Sequence, residues 1–477
     1  MMSGENPSSQ NKGWIDRVPD FLSVAVGLVL WRLFFPGFMS ADSIAQYEQA
    51  VLGDYSDWHP PLMSLVLRAA MGVGVTIGLL MLFQCLAGVF GIRALASGVL
   101  KQLFGDRITP RRAAWLSFLV LLALLVPVTP LAFYLMTFWK DAWAMILLLW
   151  IGALSLDLDQ RPEGSGRRML LLVVLAAALG LVRHNAIVTL PLVGLVLFVR
   201  SRQLGRPAAL ALAAAPLVLW FTAGAAIDRV FRVEKMNPDS QIMMLDLVGL
   251  CAEGRKVCQQ LPWTHRHILD EASLATYRPG DLGFILWDEP KHIDLAFREY
   301  PPLKAEYRRA VLRFPHLLLK VKLEAFATML GHDRTFYFFH STIVDNPYKL
   351  GLNMRFERER QWLSRITGAV GGHPLLRWIS GVHLVWIVVN ALLIAGLLVK
   401  ARRSGEERLR FLALVLLVPL AYYFSYVMAT PIHDFRFMYP STLVVQCVAG
   451  AGVVGRLLQT PAGRKSGWTQ RKDGVVP

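Results

Sequence analysis

Polar and apolar residues alternate along this chain over whole segments, not residue by residue. Mostly apolar runs extend from Phe21 to Met39, from Val75 to Leu95 and from His383 to Val399. Each approaches the length of about 20 residues that a helix needs to cross the hydrocarbon core of a bilayer. About ten spans fit the pattern. They cover residues 20–38, 76–97, 113–129, 142–156, 169–182, 186–200, 207–227, 381–400, 410–429 and 437–458. Several are short for a full crossing, which points to tilted or broken helices. The predicted fold class is therefore an all-α polytopic membrane protein.

One long polar stretch interrupts this rhythm after the seventh span, over residues 228–380. Within it, Lys304 to Leu330 has helical periodicity broken at Pro315, and a helix pair lying on the membrane surface is expected. The organisation is then an N-terminal transmembrane module (1–227) with an external loop at 40–60, a large and mainly helical external segment (228–380), a C-terminal transmembrane module (381–460) and a cytoplasmic tail (461–477).

Composition agrees with a bilayer as the solvent. Of 477 residues, 55% are hydrophobic and 18% charged, with a mean hydropathy of +0.43, which excludes an ordinary soluble domain. The net charge of +16 would suit nucleic acid, but the Lys and Arg residues fall in short tracts between apolar runs, not on one soluble face. No nucleic-acid partner is expected. The tracts instead obey the positive-inside rule. With the N-terminus cytoplasmic, alternate loops carry Arg107, Arg111 and Arg112, then Arg161, Arg167 and Arg168, then Arg200, Arg202 and Arg206, then Lys400, Arg402 and Arg403. The opposite loops are nearly free of bases: Ser40 to His59 holds Asp42, Glu48, Asp54 and Asp57 and no Lys or Arg. The first apolar run leads straight into polar sequence without a small-residue cleavage site and reads as a retained span. Of the four cysteines, Cys251 and Cys258 share the polar segment, where a disulfide is expected if it lies in an oxidising compartment.

Four compact polar clusters break into apolar sequence, and the alternation puts all four on the external side. They are Ala41-Asp42-Ser43 with Asp57-Trp58-His59-Pro60-Pro61, then Trp139-Lys140-Asp141, then Arg183-His184-Asn185, then His433-Asp434-Phe435-Arg436. Charged groups at a bilayer edge must pair, solvate or serve a ligand, because burying one alone costs several kcal/mol. Asp42, in a loop with no base of its own, could accept a proton from a hydroxyl, or could cap the helix that follows. His59 stands on a turn stiffened by two prolines. Lys140 and Asp141 are neighbours on a helix, so they point apart and expect separate partners. Arg183 and Arg436 suit a lipid phosphate, since a guanidinium can grip phosphate oxygens through two parallel hydrogen bonds. His184, Asn185, His433 and Asp434 complete the candidate substrate-binding set.

In this order, the acidic first loop with Asp42, the Trp58-His59-Pro60-Pro61 turn, Lys140-Asp141 opening a helix and the late Arg436-Phe437-Met438-Tyr439-Pro440 resemble the GT-C superfamily of polytopic glycosyltransferases. That superfamily includes the protein O-mannosyltransferases and the lipid A aminoarabinose transferases. The resemblance implies a sugar donor on a polyprenyl phosphate, an external acceptor hydroxyl, a catalytic base at Asp42 and a donor phosphate held by Lys140, Arg183 and Arg436. It also implies a large external domain after the seventh span. Many relatives carry two adjacent acids in the first loop, whereas Ser43 follows Asp42 here, so neither a metal nor another cofactor is expected. The competing readings are a transporter or lipid flippase, and a polymerase or ligase of lipid-linked glycans.

Overall fold

The computed structural model describes residues 8–126, 130–160, 165–267, 277–281, 298–330, 357–430 and 434–458. Among these residues the chain is helical, with no strand and two isolated bridges. The first half holds α1 (Ser8–Phe34), α2 (Ala41–Leu52), α3 (Leu62–Gly72), α4 (Ile77–Phe104), α5 (Pro110–Leu125) and α6 (Leu131–Leu135). Then come α7 (Lys140–Gln160), α8 (Ser165–Val182), α9 (Leu190–Ser201) and α10 (Arg206–Val230). The polar stretch supplies α11 (Asp239–Ala252), α12 (Arg255–Cys258), α13 (Pro262–His267), α14 (Tyr300–Arg313), α15 (Pro315–Met329) and α16 (Glu357–Gly372). The chain ends with α17 (Pro374–Gly381), α18 (His383–Ser404), α19 (Glu407–Met428) and α20 (Phe435–Leu457).

Eight of these helices are long and apolar enough to cross a membrane: α4, α7, α8, α9 with its flanking 3-10 turns, α10, α18, α19 and α20. The other two predicted spans differ for local reasons. The 18 residues that end α1 take in Arg17, Asp20 and Arg32, and α5 has 16 residues. Burial separates the eight into core and periphery. Of the apolar window of α7, 78% is enclosed by protein, against 6% for α10. Phe221 on α10 is 68% exposed and Leu392 on α18 is 66% exposed. A helix apolar on all sides and uncovered by protein needs hydrocarbon around it, and this is the structural argument for a membrane protein.

Small residues let the central helices approach closely. A Cβ at Gly98 of α4 would lie 3.2 Å from that of Leu156 on α7, and one at Gly194 of α9 would lie 2.3 Å from the Ala213 carbonyl oxygen of α10. The polar stretch has a small core of its own, with Met244, Leu247 and Val248 of α11 against Leu303 of α14 and Val321 of α15. The predicted break at Pro315 is the boundary between α14 and α15. Cys251 and Cys258 form a disulfide across the turn from α11 to α12.

Charge is distributed unevenly between the two ends of the bundle. At the far end of α7, Asp157 pairs with Arg168 at 2.8 Å and Asp159 pairs with Arg200. The opposite end, where α7 begins and α8 finishes, carries the polar clusters.

Candidate functional site

Backbone clips ahead of α7 bring the first of these clusters together. The chain leaving α1 runs beside the stretch before α7: the amide of Phe38 donates to the Met136 carbonyl at 2.7 Å, and the amide of Phe138 donates to the Phe38 carbonyl at 2.9 Å. Gln84, deep in α4, holds that stretch by donating to the carbonyls of Leu135 and Thr137, each at 2.9 Å. Trp139 Nε1 donates to Ser40 Oγ at 2.6 Å, and Ser43 Oγ donates to the Phe138 carbonyl. Ser40 is the N-cap of α2, and the Ser43 hydroxyl accepts from its amide at 3.1 Å. The capping role considered for Asp42 therefore belongs to Ser40. Asp42 stands in the first turn of α2, where the helix dipole favours a carboxylate, and is free to turn toward α7 and α20.

Asp42 Oδ2 lies 2.9 Å from Arg436 Nη1, and its Oδ1 lies 4.0 Å from His59 Nε2. His59 Nδ1 is 2.9 Å from Lys140 Nζ. Lys140 and Asp141 do take separate partners, because Asp141, fully buried, pairs with Arg183. Arg183 also lies over the Phe437 ring, 4.5 Å from its centroid. Asp434 caps α20 by accepting from the Arg436 amide at 3.0 Å, and its Oδ2 is 2.7 Å from Arg436 Nε. Arg436 packs over Trp139 and Phe437. Asn185 donates to Ser425 Oγ of α19 at 2.7 Å and ties the turn after α8 to the bundle. His184 is exposed and lines a neighbouring groove. His433 lies outside the described residues.

The electrostatics follow from this packing. Burial would raise the Asp42 pKa, but Arg436, Lys140, His59 and Arg183 together outweigh it and hold the carboxyl well below the usual carboxylate range. Burial, reinforced by Lys140, pushes His59 down to about 3 against the pull of Asp42, so the imidazole is neutral. Each arginine has a carboxylate in direct contact: Arg436 has Asp42 and Asp434, and Arg183 has Asp141. Lys140 differs. Its hydrogen-bond partner is the neutral His59, so it is the cation of the three with no carboxylate at ion-pair distance among the described residues.

The arrangement can grip an anion between Lys140 and the two guanidiniums, with a carboxylate at hand to take a proton. Among the described residues no three His, Cys, Asp or Glu side chains are grouped to hold a metal ion. Sequence reasoning missed Gln84, whose only signal is a lone amide in the apolar run of α4. It also missed the tyrosines that wall the cluster, among them Tyr134, its ring tilted against that of Tyr439 with centroids 4.4 Å apart, and the fully buried Tyr422 and Tyr426. No family model, curated protein or solved structure matches the chain.

Proposed function

We propose that the protein is a membrane glycosyltransferase that moves a sugar from a polyprenyl-phosphate carrier to an acceptor hydroxyl outside the cytoplasm. The observation that carries this reading is the convergence of Lys140, Arg183 and Arg436, from the beginning of α7, the end of α8 and the beginning of α20, around Asp42. In the same reading the chain crosses the plasma membrane about ten times, with α1 and α5 as the further spans. The 228–380 segment and the cluster then face the extracytoplasmic side, opposite the arginine-rich end. The disulfide in that segment fits an oxidising compartment.

The donor phosphate would meet Lys140 first, the cation with no carboxylate at ion-pair distance among the described residues, and then compete with Asp42 for Arg436. Withdrawal of that guanidinium strengthens Asp42 as a base at the moment the donor is bound. The acceptor O–H gives its proton to Asp42 as its oxygen bonds to the anomeric carbon. The bond from that carbon to the phosphate oxygen breaks, and the electron pair leaves with the polyprenyl phosphate. This single displacement inverts the anomeric centre. The three cations stabilise the charge as it develops, preorganised by their partners in the cluster.

A transporter or flippase would favour charge near the middle of the spans, whereas these groups lie at helix ends. A polymerase or ligase of lipid-linked glycans shares the donor chemistry and differs in the unit transferred. The test is Asp42→Asn, which keeps shape and loses the proton acceptor. Cells carrying it should lose one glycan modification seen by mass spectrometry while the protein level is unchanged. An unaltered glycan profile in both this variant and a deletion strain would refute a transfer role.

A further inference from the structure

Beside the cluster, a cavity of about 250 Å³ opens between α3, α8 and α10. Residues next to the cluster in sequence line it. His59 and Arg183 face the carboxylates, while their immediate neighbours Pro60 and His184 face the cavity. The outer wall belongs to α10, the helix least covered by protein, with Trp220, Phe221 and Gly224 along the cavity. The cavity is therefore a lateral groove that opens where hydrocarbon would surround the bundle. Its floor is apolar, with Leu62 and Leu181 opposite Trp220.

The polar rim is of opposite character to the cluster. It carries Asp57, Asp228 and Lys235, two acids against one base, beside His184. Lys235 is already committed, 2.6 Å from Asp228 and 3.6 Å from Asp57. A phosphate at this rim would meet two carboxylates and a lysine already paired with both of them. A hydroxyl or ammonium group would find carboxylate acceptors instead.

We infer that this groove binds the acceptor, a membrane lipid whose head group presents hydroxyl or amine groups to Asp57 and Asp228 and whose chain lies along Leu181 and Phe221. The inference rests on the transfer reaction proposed above and assigns its second substrate to the lipid class. The donor phosphate occupies the cationic side of the His59 and Arg183 wall, and the acceptor head reaches Asp42 around that wall from the acidic side.

The test uses the full chain in detergent and two probes, a long-chain alkyl glucosaminide and hexadecyl phosphate, with retention measured by native mass spectrometry. Gly224→Phe fills the groove: an added Cβ there meets only the Leu181 side chain, at 3.6 Å, so the backbone has no cause to move. Asp57→Asn and Asp228→Asn together remove the rim carboxylates without filling the groove. Glucosaminide affinity should fall about tenfold or more in either variant and remain at the wild-type level in Arg436→Gln. Hexadecyl phosphate should behave in the opposite way. Loss of the phosphate probe in Gly224→Phe, with the glucosaminide unaffected, would make the groove a donor-tail site and overturn the inference. Wild-type retention of the glucosaminide in both groove variants would overturn it as well. A glucosaminide that follows the groove variants while hexadecyl phosphate ignores Arg436→Gln would retain the lipid site and refute the donor site.

Discussion

Replacing Arg436 with Gln removes the strongest restraint on Asp42 without emptying the space around it. The pair is close, at 2.9 Å, and largely shielded, with Asp42 27% and Arg436 16% exposed. Breaking a buried pair by truncating one partner costs about 3–5 kcal/mol, and the residual exposure of Asp42 puts this pair near the lower figure. At about 1.4 kcal/mol per pKa unit, about 3 kcal/mol corresponds to some two units. The sign follows from the same contacts. In the wild type a depressed pKa contributes stability above the unfolded value, near 4, that is lost as pH falls toward the folded value. In Arg436→Gln the burial that opposed the arginine is left less opposed, so Asp42 takes up a proton at higher pH and that contribution shrinks. Carbodiimide with a small amine labels protonated carboxyl groups, and peptide mass spectrometry can follow Asp42 from about pH 4 to pH 8, around and above the ordinary carboxylate range. Wild-type Asp42 should stay unlabelled across that range, Arg436→Gln should label at the acid end, and Arg436→Lys should fall between. Equal labelling of wild type and Arg436→Gln would refute the reasoning, because Arg436 would then not be what holds the carboxylate.

The other expectations concern stability. Arg183→Met leaves the fully buried Asp141 without its guanidinium partner and should cost about 3–5 kcal/mol, much of it recovered when Asp141→Asn is added. Thermal unfolding in detergent measures the cycle, and losses that simply add would deny the coupling. Lys322→Met should cost a similar amount, because Lys322 pairs with the buried Asp246 at 2.7 Å and donates to the Met428 carbonyl at 3.0 Å, at the end of α19. Asp246→Asn in the same chain should restore part of it. The disulfide closes a short loop, seven residues apart in sequence, so replacing both cysteines with serine should cost about 2–3 kcal/mol. In native, unreduced protein neither Cys251 nor Cys258 should react with a thiol reagent, and fast labelling of either would remove the bridge.

Much of the helical layout was legible because hydrophobic runs and prolines act locally. The polar stretch was found by its composition, and the end of α14 by Pro315. The limits of α1 were less legible: its helix begins at Ser8, well before the apolar run, because helical backbone continues through the polar residues that precede that run. The cap of α2 lies at Ser40, two residues before the Asp42 that the sequence offered as a candidate. Ser40 and Asp42 are both good capping residues, and the choice between them depends on the Phe38 and Phe138 backbone hydrogen bonds, which join segments about a hundred residues apart.

The pairings in the cluster were beyond the sequence for a related reason. The inventory of charges is visible, and helix geometry separates Lys140 from Asp141, but nothing local decides that Asp141 takes Arg183 while Lys140 is left to His59. That choice is fixed by loop geometry at the ends of α7, α8 and α20. It also has a chemical consequence. The three carboxylates Asp42, Asp141 and Asp434 balance the charge of Lys140, Arg183 and Arg436, yet two of them crowd Arg436 and none reaches Lys140. Neutral as a set, the cluster is polarised within, and an anion entering at Lys140 draws on the Arg436 guanidinium that otherwise holds Asp42. Anion binding and release of the carboxylate are then a single exchange, so an anionic donor would arrive and its base would become competent in the same step.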